Sequence, residues 1–247
     1  RIEKANLYWR MYSGRYKLPP IPNTPGKEDI IEKGSLIMLY PYDLKGFSAV
    51  RTRFWDVTKP DDFISYIPAL RRVRRLAGTD TQDPIIGTDI PWEDWRGWWQ
   101  NLSQKVWPAE YKIKGEGIFL TPVRRLRRPA KLEKGLVYTD WEKRPLWVLE
   151  IDYNTPQYIY SRRVIYFDKE TFQLVMIEDY DQRGNLWKTW HCNLKFYPDT
   201  GDNCWWNGDV IDHVNHHRTF WTMEAIPNDP NVTEDFFDIK FLIRMAH

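Results

Sequence analysis

Four arginines fall within five residues at Arg71, Arg72, Arg74 and Arg75, inside the run Tyr66-Ile67-Pro68-Ala69-Leu70-Arg71-Arg72-Val73-Arg74-Arg75-Leu76. A guanidinium is always charged and forks onto a carboxylate or phosphate through two hydrogen bonds, so this run is suited to holding an anion. It reads as two short strands, Phe63–Ile67 and Leu70–Leu76, turned at Pro68-Ala69, because proline presets φ for a turn and lacks the N–H a ladder needs. Strand alternation then puts Arg72 and Arg74 on one face and Arg71 and Arg75 on the other. With Arg162 and Arg163 expected on a neighbouring strand, the ladder either holds an anionic headgroup or locks an internal ion network. Asp80, Asp83, Glu93, Asp94, Asp179 and Asp181 are the acids available to such a network. The network is the preferred reading, since arginines on both faces of a strand need partners even without a ligand.

Near the C-terminus, Asp209, Asp212, His213, His216 and His217 are of metal-ligating type. His213 with His216 or His217 has the i, i+3 or i+4 spacing of a zinc-binding helix face. No glutamate follows the first histidine as in a zinc protease, so a plain polar segment is the simpler reading. Cys192 and Cys204 could pair across an 11-residue loop in an oxidising compartment. No Gly-x-Ser-x-Gly elbow and no cysteine in an activating context occurs, and no spacing singles out two carboxylates for glycoside hydrolysis. The residues point away from an enzyme, and neither a cofactor nor a resident metal is expected.

These side chains must be positioned by a chain of 247 residues rich in aromatics, with 14 Trp, 14 Tyr and 11 Phe. Trp and Tyr join a wide apolar body to a polar tip, which suits cavity rims and interfaces as well as a β-rich core. Basic and acidic residues number 36 and 34, a net +2, so no global field draws the chain to nucleic acid. The longest apolar runs have the length of strands, too short for a membrane-spanning helix, so contact with a membrane is expected to be peripheral.

Residues 5–12, 36–40 and 47–55 read as strands, and 18–26, with four prolines, as a loop. Thr88 or Asp89 is placed to cap a helix with Pro91, Glu93 and Asp94 in its first turn. On that helix Trp92, Trp95 and Trp99 form one stripe, which is read first as core packing and otherwise as a ligand wall or lid. From Tyr111 the pattern is β. Gly115 and Gly117 mark a bulge or bend, Trp147, Leu149, Ile151 and Tyr153 share a face, and 158–167 and 173–180 form a hairpin. Asp181–Gly184 closes the next hairpin, into a strand carrying Trp190 and Cys192 on one side and His191 on the other. Turn signals at this spacing describe an antiparallel meander, and no βαβ rhythm or phosphate-binding glycine loop appears.

The run Tyr66–Arg75 resembles the "YLPGQRRVRR" signature of the bacterial domain of unknown function 1329, with Ala69 where that family usually has glycine. The Asp80–Pro84 loop, Trp147–Glu150, Tyr160–Asp168 and Asp179–Lys188 fit its pattern in order, so the resemblance covers roughly residues 1–197. It implies kinship with the LolA/LolB lipoprotein carriers. The fold it implies is mainly β, a strongly curved antiparallel sheet wrapped as a half-barrel around one or two helices. Residues 1–247 are expected as a single domain, with 198–247 an irregular C-terminal extension. The chain opens on Arg1 with no signal-like segment, so the full-length protein's N-terminal region is expected to precede it.

The resemblance also implies an exported protein, periplasmic or outer-membrane-associated. Its partners would be a lipid or other hydrophobic molecule and a resistance–nodulation–division exporter or outer-membrane protein. Trp95, Trp99, Trp147, Ile151, Ile165 and Trp190 are expected to line or plug the ligand groove. A non-enzymatic structural or interaction subunit of an envelope complex is the alternative.

Overall fold

In the computed structural model, residues 1–76, 82–94, 103–123, 131–133, 136–138 and 140–246 are described. They form two compact units, Arg1–Thr81 with Asn228–His247, and Gln82–Pro227. The first unit takes in the chain's last twenty residues.

The first unit is a meander of β1 (Lys4–Met11), β2 (Ile30–Tyr40), β3 (Ser48–Phe54), β4 (Asp62–Ile67) and β5 (Arg72–Leu76), each antiparallel to its sequence neighbour. Buried residues lie on both sides of this sheet, and the side of Lys33, Ser35 and Ile37 carries a cover. The cover comes from residues 228–246. A 3-10 turn at Glu234–Phe237 lies on β2, and helix α1 (Ile239–Met245) lies on β3 and β4. Asp238 caps α1 by accepting a hydrogen bond from the Lys240 N–H, and Arg244 occupies its last turn. Phe237 and Leu242 are buried, as are Ile37, Val50 and Tyr66, which register places on the side of the sheet that Ser35 turns toward Phe236.

The second unit is a seven-stranded antiparallel sheet in the order β14-β13-β12-β11-β10-β9-β6. Its strands are β6 (Ala109–Val123), β9 (Asp140–Tyr153), β10 (Arg162–Asp168), β11 (Leu174–Tyr180), β12 (Leu186–Tyr197), β13 (Asp202–Asp212) and β14 (His217–Thr222). A small ribbon, β7 (Lys131–Glu133) with β8 (Leu136–Tyr138), lies between β6 and β9 in the chain. Although β9, β10 and β11 intervene in the order, β6 approaches both β11 and β12. The sheet therefore curls strongly without closing, as expected, and β6 and β14 remain its edges.

Three expectations change. Residues 198–247 are not an irregular extension, since they supply β13, β14 and α1. The strand expected from Tyr158 starts at Arg162, and Tyr158 and Tyr160 sit in the preceding loop with their rings buried. Across 91–94, where a helix is expected to begin, the chain makes turns; the rest of that stretch, with Trp95 and Trp99, lies outside the described residues.

Candidate functional site

Register places two rows of side chains across the covered face of the seven-stranded sheet. The first row is apolar, with Leu149, Ile165, Ile177, Trp190 and Val210 each opposite the next. Of these, Ile165, Ile177, Trp190 and Val210 are fully buried. The second row is one pleat away and alternates in charge: Arg163 faces Asp179, Asp179 faces Lys188, Lys188 faces Asp212, and Asp212 faces His217. Such a row is stable in a dry interior only if each charge is paired and hydrogen-bonded.

A strap formed by residues 82–94 supplies the missing partners. Arg163 donates to Asp179 at 2.6 Å and to Asp94 at 2.7 Å, with its guanidinium 4.2 Å from the centre of the Tyr160 ring. Tyr160 donates its hydroxyl to Asp94 at 2.6 Å, and the Trp190 indole donates to Asp179 at 2.7 Å. Lys188 reaches the Asp89 carbonyl at 2.8 Å, while the Asp89 carboxylate meets His217 Nδ1 and the Thr219 hydroxyl, each at 2.7 Å. Glu93 accepts from the Trp107 indole. Ile85 and Ile90 of the strap pack against the apolar row.

Burial pushes the Asp179 carboxyl up from its ordinary value, against the pull of Arg163. It also pushes the Tyr158 and Tyr160 hydroxyls well up and the Lys188 ammonium down. At Arg163 desolvation is outweighed by Asp179 and Asp94, so the guanidinium stays charged. The network's centre, Arg163 with Asp94 and Asp179, is out of reach of solvent and holds the strap down, while His217 at its end is exposed. That centre therefore cannot receive a solvated ligand without opening.

The expected groove residues divide. Ile151, Ile165 and Trp190 are fully buried against the protein's own side chains. Trp147 is half-buried, its ring 5.4 Å from Phe172. The sequence reading missed the apolar surface of the β6–β9 hairpin. Ile113, Ile118 and Leu120 are 65 %, 67 % and 63 % exposed. Five residues separate Ile113 from Ile118, which regular alternation would put on opposite faces. The bulge between Ile113 and Gly115 shifts the phase, so all three share a side with Trp147 and Leu149. Gly115, at φ 149°, adopts a backbone that other residues rarely take.

The arginines at 71–75 depart from the preferred reading of an internal ion network. Arg71 is not on the strand: it ends a 3-10 turn over Pro68–Leu70 in the left-handed conformation, φ 48°. Arg71, Arg72, Arg74 and Arg75 are all exposed, and β5 is an edge strand. Arg75 lies 3.4 Å from Asp62. Of the six arginines, it is Arg163 that enters the internal network; Arg162 lies over the Tyr180 ring at 3.9 Å. The first unit's own buried ion pairs come from β3, where Arg51 meets Glu32 at 2.9 Å and Arg53 meets Asp61 at 2.7 Å.

The histidines do not converge. His213 contacts Thr189, His216 sits at φ 52° beside the start of β14, and His217 binds Asp89. The spacing is that of a hairpin rather than a helix. His191 Nδ1 meets Asp209 at 2.9 Å, with Arg218 donating to the same carboxylate at 2.7 Å. Burial, which would raise Asp209, is outweighed by these two partners, and its carboxyl is held down. This imidazole is oriented by a carboxylate, but no hydroxyl or thiol hydrogen-bonds to it among the described residues. Cys192 lies on the other side of β12, its thiol pushed up by burial. No disulfide joins it to Cys204. Cys204 faces Lys195, about 10 Å further along β12, beyond the reach of an S–S bond.

Two solved structures share this fold, and a third matches more weakly. A candidate outer membrane lipoprotein-sorting protein domain from Vibrio parahaemolyticus matches with TM-score 0.60 and 20% identity, over 87% of this chain and 79% of that one. A DUF1329 family protein from Desulfovibrio piger matches with TM-score 0.62 and 19% identity, over 85% and 77%. A LolA superfamily protein from Nitrosomonas europaea matches with TM-score 0.45 and 12% identity, over 83% and 77%. No curated protein matches the sequence. The model of the family described as protein of unknown function (DUF1329) matches residues 2–238, past the point at Tyr197 where the sequence motifs stop, and the chain belongs to that family.

Proposed function

We propose that this chain is a periplasmic carrier or accessory protein that binds a lipid-like molecule along the apolar side of the β6–β9 hairpin. The observation that carries this is the exposed pair Ile118 and Leu120, neighbours on one side of β6, with Ile113 beyond Glu116 on the same side and Trp141 exposed on β9. Scattered apolar residues are ordinary on a surface, but an ordered row of large ones marks a binding surface. The fold shared with a candidate lipoprotein-sorting domain is consistent with this use. A lipid-derived partner would meet apolar side chains without having to displace the strap.

The alternative is a non-enzymatic interaction subunit of an envelope complex, with an exporter or outer-membrane protein covering the same row. It is favoured by the covered face of the sheet, where Ile151, Ile165 and Trp190 are already sealed. Displacement of a fluorescent fatty acid, with native mass spectrometry of the purified protein, separates the two. The carrier reading expects saturable displacement and co-purified lipid, with affinity falling at least about tenfold in Ile118→Asp/Leu120→Asp, since each buried side chain contributes about 1.5–3 kcal/mol. A clean apo mass with no displacement overturns it in favour of the interaction subunit.

A further inference from the structure

We infer that the edge of the five-stranded sheet at β5 is a docking surface for an anionic phospholipid bilayer. The inference is independent of what the hairpin in the other unit binds. Arg71, Arg72, Arg74 and Arg75 are exposed, and the ion pair formed there among the described residues is Arg75 with Asp62. The same sheet pairs its interior arginines, Arg51 with Glu32 and Arg53 with Asp61. Among the described residues of this sheet, Arg71, Arg72 and Arg74 therefore stand at the edge without an ion pair. Charged residues on an edge strand also deter edge-to-edge pairing, but that task does not need a cation on each side of the strand and another at the turn.

Three features select a bilayer. Arginine forks onto phosphate through paired hydrogen bonds, and Arg72 and Arg74 stand about 7 Å apart on one side of the strand, so each can take its own headgroup. Leu70 and Val73 are half exposed among the arginines. This mixture of apolar side chains and long cationic ones suits an interface where phosphates overlie acyl chains. Arg71 holds a left-handed backbone that favours glycine, so a guanidinium is presented at the turn despite the strain. The protein's net charge is only +2, which makes the cationic surface local rather than global.

The test is flotation with phosphatidylcholine vesicles and with mixed phosphatidylcholine–phosphatidylglycerol vesicles, comparing the whole chain with Arg72→Glu/Arg74→Glu. Both substitutions are at exposed positions, and circular dichroism checks that the strands persist. The expected result is binding to the mixed vesicles alone, weakened by added salt. Each arginine near an anionic surface contributes about a fivefold factor in partitioning, so the double variant should bind at least about 25-fold more weakly. Absence of the wild-type chain from the floated mixed vesicles overturns the inference, and capture of an acidic protein in its place would assign the edge to that partner. Equal flotation of the variant also overturns it.

Discussion

Arg163 is held between two carboxylates. Asp94 and Asp179 contact its guanidinium at 2.7 and 2.6 Å, and all three side chains are buried. Removing one member of a buried ionic group costs more than the group contributes, because the charges left behind cannot return to water. Arg163→Met is therefore expected to lower the unfolding free energy by about 3–5 kcal/mol, seen as a lower urea midpoint. Tyr160→Phe removes one hydrogen bond to Asp94 and leaves the ion pairs intact, so it should cost about 1.5–3 kcal/mol. If the methionine variant lost no more than the phenylalanine one, Arg163 would not be the centre of the network. Its importance is barely legible in the sequence, where Arg162 and Arg163 look alike. Only register separates them, sending one under the strap and leaving the other against Tyr180. Conversely, the dense run at 71–75 attracts the eye yet lies on an edge, because local spacing gives alternation but not the presence of a further strand.

At the scale of elements, the meander from β9 to β12 is readable because turn residues and alternation agree, as at Asp181–Gly184, where Gly184 takes φ 81°. The strap is not readable in this way. Its Pro91 and acidic first turn are also good helix-start chemistry, and what fixes its described part as turns is tertiary, through Asp89, Glu93 and Asp94. A second clasp joins β9 to the β10–β11 turn. Arg144 bonds Asp168 at 2.6 and 2.9 Å, and Asp168 also accepts from the Glu170 and Thr171 N–H groups. Burial, which would raise the Asp168 carboxyl, is outweighed by these bonds, and it is held down at about 2 against an ordinary 3.8. Because the folded value is the lower one, the clasp stabilises fully above the ordinary value, by about 2 kcal/mol, and its contribution is lost as pH falls through about 2. Asp168→Asn keeps an acceptor for both N–H groups and removes the charge together with the oxygen that accepts from Arg144 Nε. The stability difference between wild type and this variant should be flat from neutral pH down to about 5 and shrink between about 4 and 2. A difference unchanged at the acid end would show that the charge of Asp168 is not what Arg144 recognises.

At the scale of the whole chain, residues 228–246 complete a sheet begun more than 180 residues earlier. The family match extends to residue 238 and so includes the 3-10 turn of this segment. Sequence motifs end at Tyr197, because docking by a few apolar anchors, Phe237 and Leu242, needs no recognisable pattern. The anchors are reinforced by polar contacts within the first unit. Tyr12 donates to Glu234 at 2.6 Å, Lys33 bonds the same carboxylate at 2.9 Å, and the Ser35 hydroxyl donates to the Phe236 carbonyl at 2.7 Å. Deleting 228–247 uncovers β2, β3 and β4, with a loss of about 3–6 kcal/mol from the two anchors alone. Hydrogen exchange should then show amides of β2–β4 losing protection while those of β10–β12 keep theirs, since each unit carries its own core. Equal loss in both sheets would mean that they unfold as one cooperative body. Full retention in β2–β4 would mean that the C-terminal segment covers the sheet without supporting it.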